Sequence, residues 1–174
     1  MESGKKSKFQ GKVGFIQPIK VARCPLQFPL PVSASKGYPE LKFGHIDILA
    51  RRGYGRNVKL SVWELKSPRK LNHAVEQAYI YALTLRHILK SQHGKEWYKL
   101  CGFSSNVPAK LHIEAVVAIT KDKEKAFQKQ YAHLVAENPL QIGGDRIGFF
   151  VALYDKTTYK IKSFEQMKVT AAHE

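Results

Sequence analysis

Two β-rich runs joined by a turn make up residues 41–66, which read LKFGHIDILARRGYGRNVKLSVWELK. β-branched and aromatic residues are frequent in both runs, and GYGRN between them has the residues of a turn. We therefore predict a β-hairpin with strands over 41–51 and 58–66. If the hairpin is symmetric about Gly55 and Arg56, Asp47 lies directly opposite Glu64.

Helical and extended patterns follow this hairpin. A helix is predicted over 73–89, where apolar residues recur at helical spacing without Pro or Gly. The other predicted elements are a strand over 111–120, a helix over 123–136 and a closing hairpin over 147–154 and 159–164. This order favours an α/β fold with a central mixed sheet of about four or five strands flanked by helices.

The charge of the chain is strongly positive. Of its 174 residues, 29 are Lys or Arg and 14 are Asp or Glu, which gives a formal net charge of +15. Release of counterions from phosphates makes nucleic acid the first candidate partner of such a chain. The length fits one domain. We predict an irregular, proline-rich basic arm over 1–40 and a folded domain over 41–174.

Several other classes of protein lack support in the sequence. We find no long apolar span and no lipidation signal, so no membrane role is expected, and the basic first residues lack the apolar segment of a secretion signal. Cys24 and Cys101 lie far apart and have no partner at zinc-finger spacing. We expect an intracellular protein, of the cytoplasm, nucleoid or nucleus, that is not secreted.

Two carboxylates and a lysine meet near the end of the predicted hairpin. Side chains alternate along a strand, so Glu64 and Lys66 share a face. Asp47 lies across from Glu64, and facing carboxylates repel unless a cation lies between them. Oxygen ligands suit Mg²⁺ or Mn²⁺, and the backbone carbonyl of Leu65 is a further candidate ligand. The pattern predicts a divalent-cation site.

Asp47 followed by Glu64-Leu65-Lys66 resembles the motif of the PD-(D/E)XK, or restriction-endonuclease-like, nuclease superfamily. The resemblance implies that superfamily's fold and the Mg²⁺- or Mn²⁺-dependent hydrolysis of DNA, in repair, recombination, restriction or mobile-element processing. It implies that Asp47 and Glu64 hold the metal. Lys66 then orients or deprotonates the attacking water.

The predicted helix extends the resemblance. Gln77-Ala78-Tyr79-Ile80-Tyr81 is similar to the Q-x-x-x-Y element that follows the E-x-K strand in several DNA-repair and recombination branches. Gln77 and Tyr81 are four residues apart and share a helical face. Gln77 is therefore a candidate catalytic residue, whereas Tyr81 is either a contact to nucleic acid or part of the core. The resemblance covers about residues 41–90.

Two departures from the superfamily pattern bear on activity. No Pro precedes Asp47, and many members have a leading helix that brings a further glutamate to the metal. Glu40 is the candidate additional acid here. Either that ligand is absent, or Glu40 reaches the site from a loop, or the chain is a fragment that lacks the leading helix.

Other residues near the motif are candidate contacts to nucleic acid. Ser67, Arg69 and Lys70 leave the second strand where a phosphate backbone would pass, and His45 is expected on the strand face of Asp47. Each of these features also has a simpler interpretation, without a function. In that interpretation the charged side chains of the loop are solvated, His45 has a structural role, and Glu64 and Lys66 form a solvated ion pair on the surface.

Three functions stay open at this level. The first is a DNA nuclease, the second a catalytically silent nucleic-acid-binding module on the same fold, and the third an RNA-directed nuclease. Net charge cannot separate DNA from RNA, and the resemblance favours DNA. A homodimer, or a place in a larger protein or complex, also stays open.

Overall fold

The computed structural model describes residues 15–20, 27–30, 44–53, 57–67, 71 and 73–167. These residues form nine strands and three α-helices. In chain order the elements are β1 (Ile16–Pro18), β2 (Phe28–Leu30), β3 (Gly44–Ile46), β4 (Ile48–Arg52), β5 (Lys59–Leu65), α1 (Ala74–Lys90), α2 (Gly94–Leu100), β6 (His112–Thr120), α3 (Glu124–Glu137), β7 (Gln141–Ile142), β8 (Asp145–Tyr154) and β9 (Ile161–Gln166).

Seven of these strands form the main sheet, in the order β1–β4–β5–β6–β8–β7, with β9 also paired to β8. The sheet is mixed, because β5, β6 and β8 run parallel while the other pairings are antiparallel. Strands β2 and β3 form a separate two-stranded sheet. Parallel pairing of β5 with β6 requires a crossover connection, and α1 and α2 lie in that connection.

The predicted fold class is confirmed at the level of a mixed α/β protein with a central mixed sheet flanked by helices. The predicted number of four or five strands is wrong, since the main sheet has seven. The additional strands are β1 and β7, which have three and two residues. Strands this short do not show the alternation on which the sequence-based assignment depends.

The predicted hairpin is present as β4 and β5. Ile48 pairs with Trp63 and Arg52 with Lys59, so the register is symmetric about Gly55 and Arg56, as predicted. Those two turn residues lie outside the described residues. The first strand differs from the prediction, because the chain bends between β3 and β4 instead of continuing as one strand.

The bend occurs at Asp47. Its carbonyl accepts a hydrogen bond of 2.9 Å from the backbone N–H of Gln27, which precedes β2. Strand β3 therefore pairs with β2 in the small sheet, and β4 pairs with β1 and β5 in the main one. Both β1 and β2 come from the segment for which an irregular arm is predicted.

The core has two layers on the two faces of the main sheet. One face packs against α1 and α3 through side chains such as Val117, Ala82 and Phe127, all fully buried. On the opposite face, Trp63 stacks on Phe164 in a smaller cluster built from strand residues alone. The sheet thus has one face covered by helices and one that is more open.

The remaining predicted elements are present within a residue or two. Helices over 73–89 and 123–136 correspond to α1 and α3, and the later strands correspond to β6, β8 and β9. The seven-residue α2 was not predicted. Among the helices of the described residues, none combines the length and apolar composition needed to cross a membrane.

Candidate active site

The candidate site lies at the carboxyl end of β5, on the face that packs against α1. Glu64 follows the buried Val62 on this face, and its side chain is only 6% exposed. Lys66 comes two residues later and places Nζ 2.7 Å from Glu64 Oε1. The side chain of Lys66 is 18% exposed, so the two charges form a buried pair. The simpler interpretation as a solvated surface pair does not fit this burial.

Asp47 reaches the same strand end from the bend before β4. The hairpin ladder ends at the pair of Ile48 and Trp63, and Asp47 is the next residue, close enough to Glu64 for its charge to act on that carboxylate. Its Oδ2 accepts a hydrogen bond of 2.7 Å from the backbone N–H of Leu65. This bond fixes the direction of the Asp47 carboxylate relative to β5.

Helix α1 brings both residues of the Q-x-x-x-Y element to the site. Gln77 Oε1 accepts a hydrogen bond of 2.6 Å from Lys66 Nζ. Tyr81 is buried, and its hydroxyl bonds to the backbone of His45. Burial raises the pKa of Tyr81, and the charges of Glu64 and Asp47 raise it further. The helical spacing of four residues therefore brings one side chain to the lysine and the other to the carboxylates.

Electrostatics at this strand end disfavour an ionised Glu64. Burial raises the pKa of Glu64, and the nearby charge of Asp47 adds to the increase, whereas the hydrogen bond from Lys66 opposes it. Glu64 Oε1 is paired with Lys66, but the buried Oε2 has no hydrogen-bond partner among the described residues. An unpaired buried carboxylate oxygen is costly unless it serves another purpose.

Two further strands hold Lys66 in place. Its backbone N–H donates to the carbonyl of Ala118 on β6 at 3.0 Å, and its carbonyl accepts from the hydroxyl of Tyr154 on β8 at 2.8 Å. Nothing in the sequence marks Tyr154 as part of this site, because it lies 88 residues from Lys66 along the chain. Only the parallel pairing of β5, β6 and β8 brings them together.

Other predicted site residues lie at the margin of the site. The backbone of His45 lies near Tyr81, and the side chain of His45 is exposed. His45 and Asp47 were expected to share a strand face, but the bend at Asp47 interrupts that face. The side chain of Leu65 points to the opposite face of the sheet, and Ser67 is exposed. Three predicted residues lie outside the described residues: Glu40, Arg69 and Lys70.

Within the described part of the chain, no three or more His, Cys, Asp or Glu side chains come together as a metal-binding group. The site there has two carboxylates, Asp47 and Glu64. Glu40, the predicted additional acid, lies outside the described residues and is therefore not covered by this statement about metal-binding groups. Comparison of the chain with protein-family models, with curated proteins and with solved structures finds no match.

Proposed function

We propose that this protein is a metal-dependent nuclease that hydrolyses phosphodiester bonds in DNA, with its active site at the carboxyl end of β5. The proposal includes the finer fold assignment, a restriction-endonuclease-like sheet. It also includes the assignment of Asp47, Glu64 and Lys66 as the catalytic residues, and of Gln77 as the residue that positions Lys66.

One observation carries the proposal: Glu64 is buried beside Asp47 with one carboxylate oxygen unpaired among the described residues. Two carboxylates at the end of one hairpin repel each other, and burial strengthens the repulsion. Such an arrangement is unfavourable for the fold alone and becomes favourable when a cation binds between them. The net charge of +15 adds a reason for a polyanionic substrate.

The residues fit a hard divalent cation. Asp47 and Glu64 would hold Mg²⁺ or Mn²⁺ through carboxylate oxygens, with the carbonyl of Leu65 as a further ligand. When bound, the cation supplies charge that polarises the scissile phosphate and stabilises the transition state. The hydrogen bond from Leu65 to Asp47 keeps one carboxylate oriented before any ligand arrives.

Lys66 has the position required to act on a water molecule next to the carboxylates. Its Nζ lies between Glu64 Oε1 and Gln77 Oε1, at 2.7 and 2.6 Å. Two acceptors restrict the ammonium to one arrangement, which favours orientation of a nucleophile over free rotation. Gln77 is thus a positioning residue for Lys66.

A second candidate function is a nucleic-acid-binding module on the same fold that lacks catalysis. The observation that favours it is that the described residues contain no group of three or more metal-binding side chains. Two carboxylates bind a divalent cation more weakly than a larger set of ligands. The strong positive charge of the chain is consistent with both candidate functions. They differ in whether the site binds a divalent cation and catalyses hydrolysis with it.

The test is cleavage of end-labelled single-stranded, duplex and flapped DNA, and of RNA, in Mg²⁺, in Mn²⁺ and in EDTA. Wild type is compared with Asp47→Asn, Glu64→Gln and Lys66→Met. The matched control is Glu137→Gln, which neutralises an exposed carboxylate at the end of α3. Circular dichroism establishes that each variant is folded.

Cleavage by wild type and the control, lost in EDTA and in the three site variants, supports the nuclease. Faster cleavage of RNA than of DNA supports an RNA-directed nuclease at the same site. No cleavage of any substrate, together with salt-sensitive binding that all variants retain, overturns the nuclease in favour of the binding module.

A further inference from the structure

The face of the main sheet opposite α1 and α3 carries an apolar groove of about 440 Å³. The residues that define it are Ile16, Ile48, Trp63, Leu65, Tyr154 and Tyr159. Two of these large side chains are exposed, Leu65 at 44% and Tyr159 at 78%. A contiguous apolar surface of this kind on a highly charged protein indicates a binding surface.

The groove adjoins the candidate active site at the end of β5. Lys66 and Ser67 line it together with the apolar residues, and the Lys66 ammonium contacts Glu64 and Gln77. The hydroxyl of Tyr154, which also lines the groove, bonds to the Lys66 carbonyl. Side chains alternate along β5, so Glu64 faces the candidate active site while Trp63 and Leu65 face the groove.

The edge of the groove formed by the β8–β9 connection is basic. Lys156 and Lys160 are exposed in this connection, and Lys162 is exposed near the start of β9. The nearest acid in this segment is Asp155, whose carboxylate lies 3.9 Å from Lys162 Nζ. Lysines therefore outnumber acids three to one over 155–162. A ligand that combines negative charge with flat apolar surfaces matches this edge.

The same connection holds Tyr159 at the mouth of the groove. Asp155 Oδ1 accepts hydrogen bonds from the backbone N–H groups of Thr157 and Thr158, at 2.9 and 2.8 Å, and the Asp155 carbonyl accepts one from Tyr159. Tyr159 has φ of 54°, a conformation that is unfavourable for a bulky residue. An exposed aromatic ring in this conformation gains nothing for the core.

We propose that the groove binds unstacked bases of single-stranded nucleic acid, and that the site therefore acts on single-stranded or flapped regions. Proteins that bind single strands combine aromatic side chains on which bases stack with lysines and arginines that follow the phosphates. In a duplex the faces of the bases are stacked on each other and cannot enter the groove. Trp63, whose ring stacks on Phe164, lines the floor of the groove.

That the bound single strand is also the substrate rests on the proposed nuclease function. Binding of its bases in the groove does not depend on that function. Binding is therefore measured in EDTA, where metal-dependent cleavage cannot occur. The probes are a fluorescein-labelled oligothymidylate of about 12 nucleotides and a duplex of similar length. Fluorescence anisotropy gives Kd for both at about 50 and 200 mM salt.

Three proteins are compared: wild type, Tyr159→Ala and Tyr159→Phe. Tyr159 is exposed, so neither variant removes a core contact. Stacking on this ring predicts that Tyr159→Ala weakens binding of the single strand about tenfold and leaves duplex binding unchanged. Tyr159→Phe keeps the ring and should bind as wild type does. In addition, an oligonucleotide carrying 5-iodouracil should cross-link to the peptide that contains 154–161.

Equal Kd values for wild type and Tyr159→Ala, or equal losses on single strand and duplex, would overturn the proposal. So would a change in sedimentation with Tyr159→Ala at unchanged single-strand affinity, which would identify the groove as a contact between copies of the chain. Tighter binding of the single strand than of the duplex, lost in Tyr159→Ala and kept in Tyr159→Phe, supports base binding even if no cleavage occurs. The absence of cleavage would then overturn only the proposed nuclease function.

Discussion

Glu64 and Glu114 are buried carboxylates on the neighbouring strands β5 and β6, yet their surroundings differ. Glu114 lies on the open face of the sheet, and both of its oxygens accept hydrogen bonds of 2.5 Å from Arg52. That guanidinium also lies over the rings of Phe150 and Phe164, at 4.9 and 4.8 Å. Glu64 lies on the helical face and has one oxygen paired with Lys66 and one unpaired among the described residues.

The comparison separates a carboxylate that serves the fold from one that is available for chemistry. Bidentate pairing with Arg gives each oxygen of Glu114 a charged hydrogen-bond partner, so this carboxylate is already neutralised by the fold. At Glu64 burial raises the pKa, the charge of Asp47 raises it further, and one oxygen has no hydrogen-bond partner among the described residues. Proteins keep such unfavourable arrangements mainly at functional sites.

The largest expected effect concerns catalysis. Glu64→Gln removes a proposed metal ligand while keeping the shape of the side chain, and we expect the cleavage rate to fall about a thousandfold, equivalent to about 4 kcal/mol. Single-turnover rates in excess Mg²⁺ measure the effect. Glu114→Gln serves as the matched variant and should cleave within a few-fold of wild type wherever it remains folded. A fall of less than tenfold for Glu64→Gln would contradict the assignment of Glu64.

The next effect concerns stability. Glu114→Leu removes the buried carboxylate that pairs with the Arg52 guanidinium, and we expect a loss of about 3 kcal/mol in the free energy of unfolding. Urea denaturation measures this loss. The double variant Arg52→Met with Glu114→Leu should lie closer to wild type, because apolar side chains then replace both members of the buried ion pair. A double variant as unstable as the single one would show that the ion pair itself holds these strands together.

A smaller effect is expected at Gln77. Gln77→Leu removes one of the two acceptors that fix Lys66 Nζ, so we expect cleavage to slow about tenfold, through kcat more than KM. Gln77→Glu keeps an oxygen acceptor and is the control. Equal rates for wild type and Gln77→Leu would mean that Glu64 alone positions the lysine.

The smallest effect is a pH dependence of stability in EDTA. Burial raises the folded-state pKa of Glu64 above its ordinary value of 4.5, so the native state holds this proton more tightly than the unfolded chain does. The resulting destabilisation is absent below pH 4.5, grows as the pH rises and is complete above the folded pKa. The uncharged Glu64→Gln side chain does not have this pH-dependent destabilisation, so the variant should gain stability relative to wild type as the pH rises towards 8. Thermal unfolding curves should converge in acid, and a constant difference across pH would contradict the argument.

Much of the fold follows from local patterns. The hairpin register, α1, α3 and the strands of the parallel core were predicted because their periodicity is long enough to be distinctive. The break of the first strand at Asp47 was not predicted. It depends on a backbone bond to Gln27, twenty residues earlier, in a segment with little pattern of its own.

Some contacts of the candidate site could likewise be predicted from local patterns, and others could not. Contacts of Glu64 with Lys66 and of Lys66 with Gln77 follow from the two-residue repeat of a strand and from the short connection to α1. Tyr154 and the pairing of Arg52 with Glu114 could not be predicted, because they depend on which strands become neighbours. Whether Glu64 and its neighbours hold a cation stays a prediction.

The bend at Asp47 also makes the site sensitive to local unfolding. Asp47 belongs to the junction between the small β2–β3 sheet and the main sheet, and its carbonyl is held by the amide of Gln27. Opening of the three-residue β2 alone would release that bond while β4 and β5 stay paired. The exchange rate of the Gln27 amide hydrogen therefore reports how often the backbone carbonyl of Asp47 is released, while the Leu65 amide still holds the Asp47 carboxylate.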